Sequence, residues 1–388
     1  MHWLPERSRL DRDQNDACDA CISTVLNSRP GAQQCWVQGS AGTGKSVVLV
    51  HALRETRRRK PGLSMVFVTY THALKALVLD GLDDETKAAI PVMTAHEFIR
   101  ERRRCDVLFV DEIQDLDARM IEALRGLSGV MVVGGDPVQS IYYGATPEEI
   151  GRIVVARPLV LDVMYRLTRN LLVLAGSIHP AARLQDAKLA RLKNVDVLMG
   201  EAESEDEEAA WVWKQARDGA ELGTPSAILL PNHKEVQRFA GKIAEIEGLS
   251  SLKRTLRVKE RYDYQPMNAA FASGAAPLRY LGNSYGDLAE SNRRKLVYLM
   301  TYHSAKGLDF ERVYVPRLSP KLRIPAGGDP EQARRLLFVA VTRAREELVL
   351  SRAGAEVHPL VAQIPEKLFT RIRIKPMDAE EVDDDLLF

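Results

Sequence analysis

Long apolar runs are missing from this 388-residue chain. No stretch of about 18 apolar residues is available to span a bilayer, and no signal-peptide pattern opens the sequence. Cysteine is scarce as well. Four of them, at positions 18, 21, 35 and 105, do not make a disulfide framework in a chain of this size. The single C-x-x-C of Cys18 and Cys21 lacks a second pair at zinc-finger spacing. Buried or half-buried thiols in a reducing compartment are expected, hence a cytoplasmic protein with no membrane partner. Excess charge of either sign is also absent: 54 Lys and Arg against 53 Asp and Glu leave +1. Any nucleic-acid surface must therefore be a local basic groove balanced by acid elsewhere.

The length favours two domains, and 45% hydrophobic with 28% charged residues is ordinary for a globular protein. The balancing acid lies in "EAESEDEE", residues 201–208, and in the C-terminal "MDAEEVDDDLLF". The latter reads as a solvating tail, or as a partner-binding peptide anchored by Leu386-Leu387-Phe388.

"CWVQGSAGTGKSVVLVHALR", residues 35–54, has a short apolar run, a glycine-rich turn and then helical periodicity. Gly39, Gly44, Lys45 and Ser46 satisfy G-x-x-x-x-G-K-[ST], with Gly42 inside the turn. Glycines let successive backbone N–H groups face phosphates, and the helix that follows adds its dipole. Lys45 would reach the β- and γ-phosphates of ATP, and the Ser46 hydroxyl would ligate Mg²⁺.

"DVLFVDEIQD", residues 106–115, supplies the acid that such a site needs. Val107 to Val110 is a continuous apolar run, as in a parallel strand covered on both faces. Asp111 falls at its carboxyl end, where open α/β sheets bind ligands, and would hold the metal through water. Glu112 is the candidate base orienting the attacking water. "VMVVGGDPVQSIYYG", residues 130–144, repeats the design, placing Gln139 as a possible γ-phosphate sensor.

Taken in order, these motifs resemble the superfamily 1 helicases of the UvrD/Rep/PcrA type over roughly residues 8–352. "LDRDQNDACDA" is similar to the adenine-reading segment, with Gln14 as its glutamine. "VTYTHALKAL" and "MTAHEF" are similar to two motifs that line the single-strand surface, which brings in Thr69, Tyr70, His72, His96 and Phe98. "MYRLTRN" resembles the tyrosine-arginine motif: Tyr165 would stack on adenine and Arg166 would contact the γ-phosphate. "TYHSAKGLDFERVYV" resembles the motif coupling nucleic acid to ATP, with Thr301 and His303 on the strand and Asp309 on the ribose. "RRLLFVAVTRARE" resembles the last motif, making Arg343 the arginine finger and Arg345 an ordinary surface arginine. Tyr142 and Tyr143, directly after the γ-phosphate sensor, lead the stacking candidates, although core packing accounts for aromatics equally well. The runs Arg57-Arg58-Arg59-Lys60 and Arg102-Arg103-Arg104 could track a backbone or be solvated helix ends.

The resemblance implies an α/β fold of two RecA-like P-loop NTPase domains with parallel sheets and an ATP cleft between them. Domain 1 would span residues 1–160 and domain 2 residues 161–376, with the acidic tail at 377–388. Family members insert accessory domains that engage duplex DNA. Here only "IRERRRC" separates "HEF" from the Walker B strand, and a reduced insertion is expected near 248–292. Val47 also stands where relatives often carry an arginine against the adenine. The implied activity is an ATP-dependent single-stranded DNA translocase or helicase that uses Mg²⁺. The alternative is an NTPase switch subunit of a repair or phage-defence complex. It would engage a nuclease or another protein through the tail or the insertion.

Overall fold

The structure, a computed structural model, describes residues 3–27, 34–136, 144–180, 188–249, 252, 257–258, 261–286, 288, 295–325, 327 and 329–375. The chain divides into two compact units: residues 1–194 with 282–289, and residues 195–281 with 290–388.

The first unit is built on β1 (Cys35–Gly39), β2 (Met65–Thr69), β3 (Val92–Thr94), β4 (Cys105–Val110), β5 (Ser128–Gly135) and β6 (Pro158–Leu161). They form one sheet in the order β3-β2-β4-β5-β1-β6, every pair parallel. Because successive side chains point to opposite faces, each apolar strand feeds two cores. Val37, Phe67, Phe109 and Val132 pack with α1 (Arg12–Asn27) and α2 (Lys45–Arg59). Val66, Leu108, Val110 and Val133 pack on the other side with Phe98 of α5 (Ala95–Glu101) and with α6 (Ala118–Gly126) and α7 (Pro147–Val154). Between β2 and β3 lie α3 (His72–Gly81) and α4 (Asp84–Ala89). Capping boxes fix two helix starts, Thr94 with Glu97 and Thr146 with Glu149.

All four cysteines are free and buried. Burial pushes the Cys18 thiol up to about 11 and that of Cys105 up to about 12. Cys21 and Cys35 bring their Sγ atoms to 3.2 Å.

The expected domain boundary near residue 160 falls inside the first unit. After β6 the chain forms β7 (Val163–Met164), helix α8 (Arg169–Ile178) and β8 (Lys188–Leu189), and β7 pairs with β8. The Tyr165 N–H donates to the Gly42 carbonyl at 2.8 Å, holding this stretch to the unit that bears the glycine-rich turn.

The second unit carries β9 (Asp196–Ala202), β10 (Ser226–Leu230), β13 (Leu278–Tyr280), β14 (Val297–Thr301), β15 (Phe310–Val315), β16 (Ala344–Ala353) and β17 (Thr370–Arg373). Their order is β13-β14-β10-β15-β16-β9-β17, again wholly parallel. A separate two-stranded ribbon pairs β11 (Arg257–Val258) with β12 (Arg261–Tyr262). The segment expected to be a reduced insertion, 248–292, thus supplies the edge strand β13 as well as this ribbon and helix α11 (Gln265–Ser273).

Two helices follow β9 and β10: α9 (Glu205–Glu221) and α10 (His233–Ile246). The acidic run of 201–208 acquires a structural reason here. Ser204 caps α9, and Glu205 to Glu208 occupy its first turn, where carboxylates complement the helix dipole. Among the described residues no helix is long and apolar enough to cross a membrane. The acidic tail, 377–388, lies outside the described residues.

Phe67 and Phe109 lie fully buried on adjacent strands, with ring centroids 6.4 Å apart and planes 2° from parallel. Phe109→Ala should destabilise the first unit by about 3–5 kcal/mol. Chemical unfolding followed by circular dichroism measures this, and a change below 1 kcal/mol (roughly what a surface substitution gives) would contradict the packing described.

Candidate active site

The sharp end of β1 is made possible by two left-handed glycines, Gly42 at φ 82° and Gly44 at φ 90°. A Cβ on Gly42 would stand 2.7 Å from the Cβ of Arg166, and one on Gly44 would stand 2.5 Å from Nε2 of Gln14. The turn thus needs glycine both for its backbone and for the two side chains that close on it. Helix α2 then begins at Lys45, aiming its free N–H groups at the turn. Lys45 Nζ donates to the carbonyls of Gly39 (2.7 Å) and Ser40 (3.1 Å), and the side chain is buried.

Ser46, at the second position of α2, donates from Oγ to Oδ2 of Asp111 at 2.5 Å. Asp111 follows β4, is 1% exposed, and accepts from the Glu112 N–H on Oδ1 at 3.0 Å. Burial, together with the nearby charge of Glu112, raises its carboxyl to about 6. Gly134 makes room for it, since a Cβ there would stand 3.3 Å from Oδ1.

Glu112 has a left-handed backbone, φ 54°, uncommon for a residue with a Cβ and typical of positions held by their surroundings. Gln114 does the holding. Its Nε2 donates to Glu112 Oε2, while its Oε1 accepts from the Asp136 N–H at 3.0 Å. The sequence pattern did not single out Gln114, although it sits inside "DEIQD"; only its burial beside Gly135 reveals the role.

On the other side of the turn Gln14 is buried. Its Nε2 donates to the Thr43 carbonyl at 2.9 Å, and its Oε1 accepts from the Asp11 N–H at 3.2 Å. The Tyr165 hydroxyl donates to Asp11 Oδ2, so Asp11, another residue not anticipated, organises both groups expected at the adenine. Tyr165 and Arg166 were expected from the second domain. They belong to the first unit, because the N–H of Tyr165 is hydrogen-bonded to Gly42.

The donor set fits ATP and Mg²⁺. Two left-handed glycines and a helix N-terminus with a buried lysine suit polyphosphate. A serine hydroxyl touching a buried carboxylate offers oxygen ligands, as Mg²⁺ prefers. Gln139, Tyr142 and Tyr143 lie outside the described residues.

The strand-facing candidates gather at the carboxyl ends of β2 and β3. Thr69 pairs with Thr94 in register, His72 opens α3 and is half-buried, and His96 is exposed with the Tyr70 ring 6.3 Å away. Thr69 itself is fully buried and donates its hydroxyl to the Thr71 carbonyl, so its side chain is internal rather than strand-facing.

In the second unit Thr301 is likewise 3% exposed, its hydroxyl bonded to Ser304 Oγ at 2.9 Å, whereas His303 is half-buried. Asp309 accepts from Arg345 Nε at 2.9 Å, which gives Arg345 a partner. Arg343 is 3% exposed and donates to the carbonyls of Val339 (2.8 Å) and Leu308 (3.1 Å) and to the Thr342 hydroxyl. Arg343, expected as the arginine finger, is thus hydrogen-bonded to residues of its own unit.

A glycine-rich turn, a lysine and a Ser–Asp contact at the carboxyl ends of parallel strands define a P-loop nucleotide-binding unit, here followed by a second parallel-sheet unit. Comparison with known proteins carries the assignment further. The UvrD-like helicase C-terminal domain family matches residues 240–354, and an AAA domain family matches residues 23–145. DNA helicase II of Escherichia coli is 26% identical over 142 residues, covering 33% of this chain and 20% of that protein. ATP-dependent DNA helicase UvrD1 of Mycobacterium leprae is 34% identical over 132 residues, 32% of this chain and 16% of that protein. ATP-dependent DNA helicase PcrA of Staphylococcus aureus is 42% identical over 78 residues, 18% and 11% of the two chains. The aligned segments span a fifth or less of these relatives' lengths. An Arterivirus helicase structure, nonstructural protein 10, covers 90% of this chain and 64% of its own at 16% identity and a TM-score of 0.43. Over these parts of its length the chain is similar to the UvrD-like helicases of superfamily 1.

Gly44→Ala should weaken nucleotide binding about tenfold or more, since the left-handed backbone alone costs an alanine roughly 1–2 kcal/mol. Gly126→Ala, where an added Cβ meets nothing within 4 Å, is the control. Titration with a fluorescent ATP analogue reads both, and equal affinities would remove the cradle from the site.

Proposed function

We propose that the chain is an ATP-hydrolysing motor of the UvrD-like type that binds and moves along single-stranded DNA. The observation that carries this reading is the Ser46–Asp111 contact beneath the glycine turn, which brings the expected metal ligands together from separate elements.

Bound there, Mg²⁺ would neutralise charge on the phosphates. Lys45 would exchange its bonds to the Gly39 and Ser40 carbonyls for phosphate oxygens. Glu112, oriented by Gln114, would hold the attacking water and accept its proton. Gln14 and Tyr165, both organised by Asp11, would clasp the adenine. Arg166, whose backbone closes on Gly42, would face the phosphates, and Gln139 is assigned to sensing the γ-phosphate. Arg343 is assigned the role of arginine finger, with Asp309 on the ribose. Its hydrogen bonds to Val339, Leu308 and Thr342 support a guanidinium whose orientation is set in advance. His72, His96, His303, Tyr142 and Tyr143 are proposed to meet the strand. Thr69 and Thr301, whose hydroxyls are internally bonded, would act by shaping the backbone there.

Hydrolysis by wild type should rise on adding single-stranded DNA. Lys45→Ala should lower it by about 10²–10³, and Arg343→Ala by about 10³–10⁵. Steady-state phosphate release measures all three. A rate indifferent to DNA would sink the motor reading while leaving the nucleotide site intact.

A further inference from the structure

In the second unit an aromatic stack rises from the core to the surface. Tyr280, the last residue of β13, and Tyr264, just before α11, are both fully buried; their rings lie 3.4 Å apart between centroids and 12° from parallel. The Tyr264 hydroxyl and His233 Nδ1 are 2.6 Å apart. His233, the first residue of α10, stacks in turn on Tyr262 of the β11–β12 ribbon, at 4.8 Å and 28°. Both of these outer rings are half-buried.

The stack sits over the carboxyl ends of three neighbouring strands, β13, β14 and β10, the edge at which open parallel sheets take ligands. His303 follows β14 at the same edge, and Lys306 belongs to the same turn through its N–H to the His303 carbonyl. Burial lowers the pKa of His233. His303 is lowered to about 4 by burial, helped by the charges of His233 and Lys306. At neutral pH the two imidazoles are therefore uncharged rings.

Core packing explains Tyr264 and Tyr280. It does not explain why the stack continues outward through two partly exposed rings fixed from behind by a hydrogen bond and a ribbon. A plate held in this way loses little freedom when a flat group settles on it, and base–aromatic stacking tolerates any sequence.

We propose that Tyr262 and His233 form a stacking plate for a nucleobase of a single strand passing over this edge of the second sheet. The inference rests on the single-strand reading above and adds residues outside the motifs that suggested it.

The test compares binding of an oligothymidylate with an abasic oligomer of equal length, by fluorescence anisotropy, for wild type, Tyr262→Ala and Tyr262→Trp. Stacking of about 1–3 kcal/mol per base corresponds to roughly 5- to 150-fold in affinity. Tyr262→Ala should lose that factor for oligothymidylate and lose nothing for the abasic oligomer, while Tyr262→Trp should retain wild-type affinity. Equal oligothymidylate affinity for wild type and Tyr262→Ala would overturn the plate while leaving the motor reading standing. No binding of either oligomer by wild type would overturn both. Should Tyr262→Ala fail to fold, photocrosslinking of a 5-bromouracil oligonucleotide to wild type decides instead. Adducts on Tyr262 or His233 are expected, and adducts confined to other residues would remove the plate.

Discussion

A carboxylate taken almost wholly out of water governs the arrangement of the first unit. Desolvation opposes the ionised form of Asp111, and its neighbour Glu112 opposes it further. What offsets this is local and specific: the Ser46 hydroxyl on one oxygen, the Glu112 N–H on the other, and the charge of Lys45 nearby. Each of these groups is positioned by a different element. Ser46 depends on the helix after the glycine turn, Glu112 on a left-handed backbone braced by Gln114, and the space itself on Gly134 in β5. A cation at this point would favour the ionised carboxylate, so the same geometry that strains the site makes it receptive to one.

The second unit handles buried charge differently. Arg317 has a left-handed backbone, φ 69°, and its N–H donates to Glu208 Oε1 at 2.6 Å; the Ser351 hydroxyl donates to the same oxygen at 2.7 Å. Its guanidinium meets Glu205 at 3.0 Å and Glu235 at 2.7 Å. Three elements, α9, α10 and the turn after β15, are tied by one arginine. Removing one partner from such a network leaves a charge uncompensated, which is why these connections hold register more than they add net stability.

Much of the nucleotide site was legible in the sequence because its signals are short and local. An apolar run ending in glycines or an aspartate can be read without knowing the fold, and β1, β4 and β5 lie where such runs lie. The less legible parts depend on contacts between distant stretches. Nothing in "MYRLTRN" announces that the Tyr165 N–H closes on Gly42, a contact between stretches more than a hundred residues apart. Asp11 and Gln114 act through side chains that touch residues far along the chain, and β13 hides in a segment whose Gly, Ala and Ser content resembles an insertion. Thr69 and Thr301 show another limit of a motif: it names the position but not the partner, and here the Thr71 carbonyl and the Ser304 hydroxyl take the two side chains' hydrogen bonds.

One connection in the second sheet has a mechanical consequence. Thr301 ends β14 and Phe310 begins β15, while β14 and β15 run parallel on either side of β10. The chain between them must therefore travel from one rim of the sheet to the other, with His303 near its start and Asp309 at its finish. Nine residue steps reach about 30 Å at full extension, and part of that slack is taken up by the turn that bonds the Ala305 N–H to the Thr301 carbonyl. Such a strap leaves His303 and Asp309, at opposite rims, joined by a single loop and six residue steps apart.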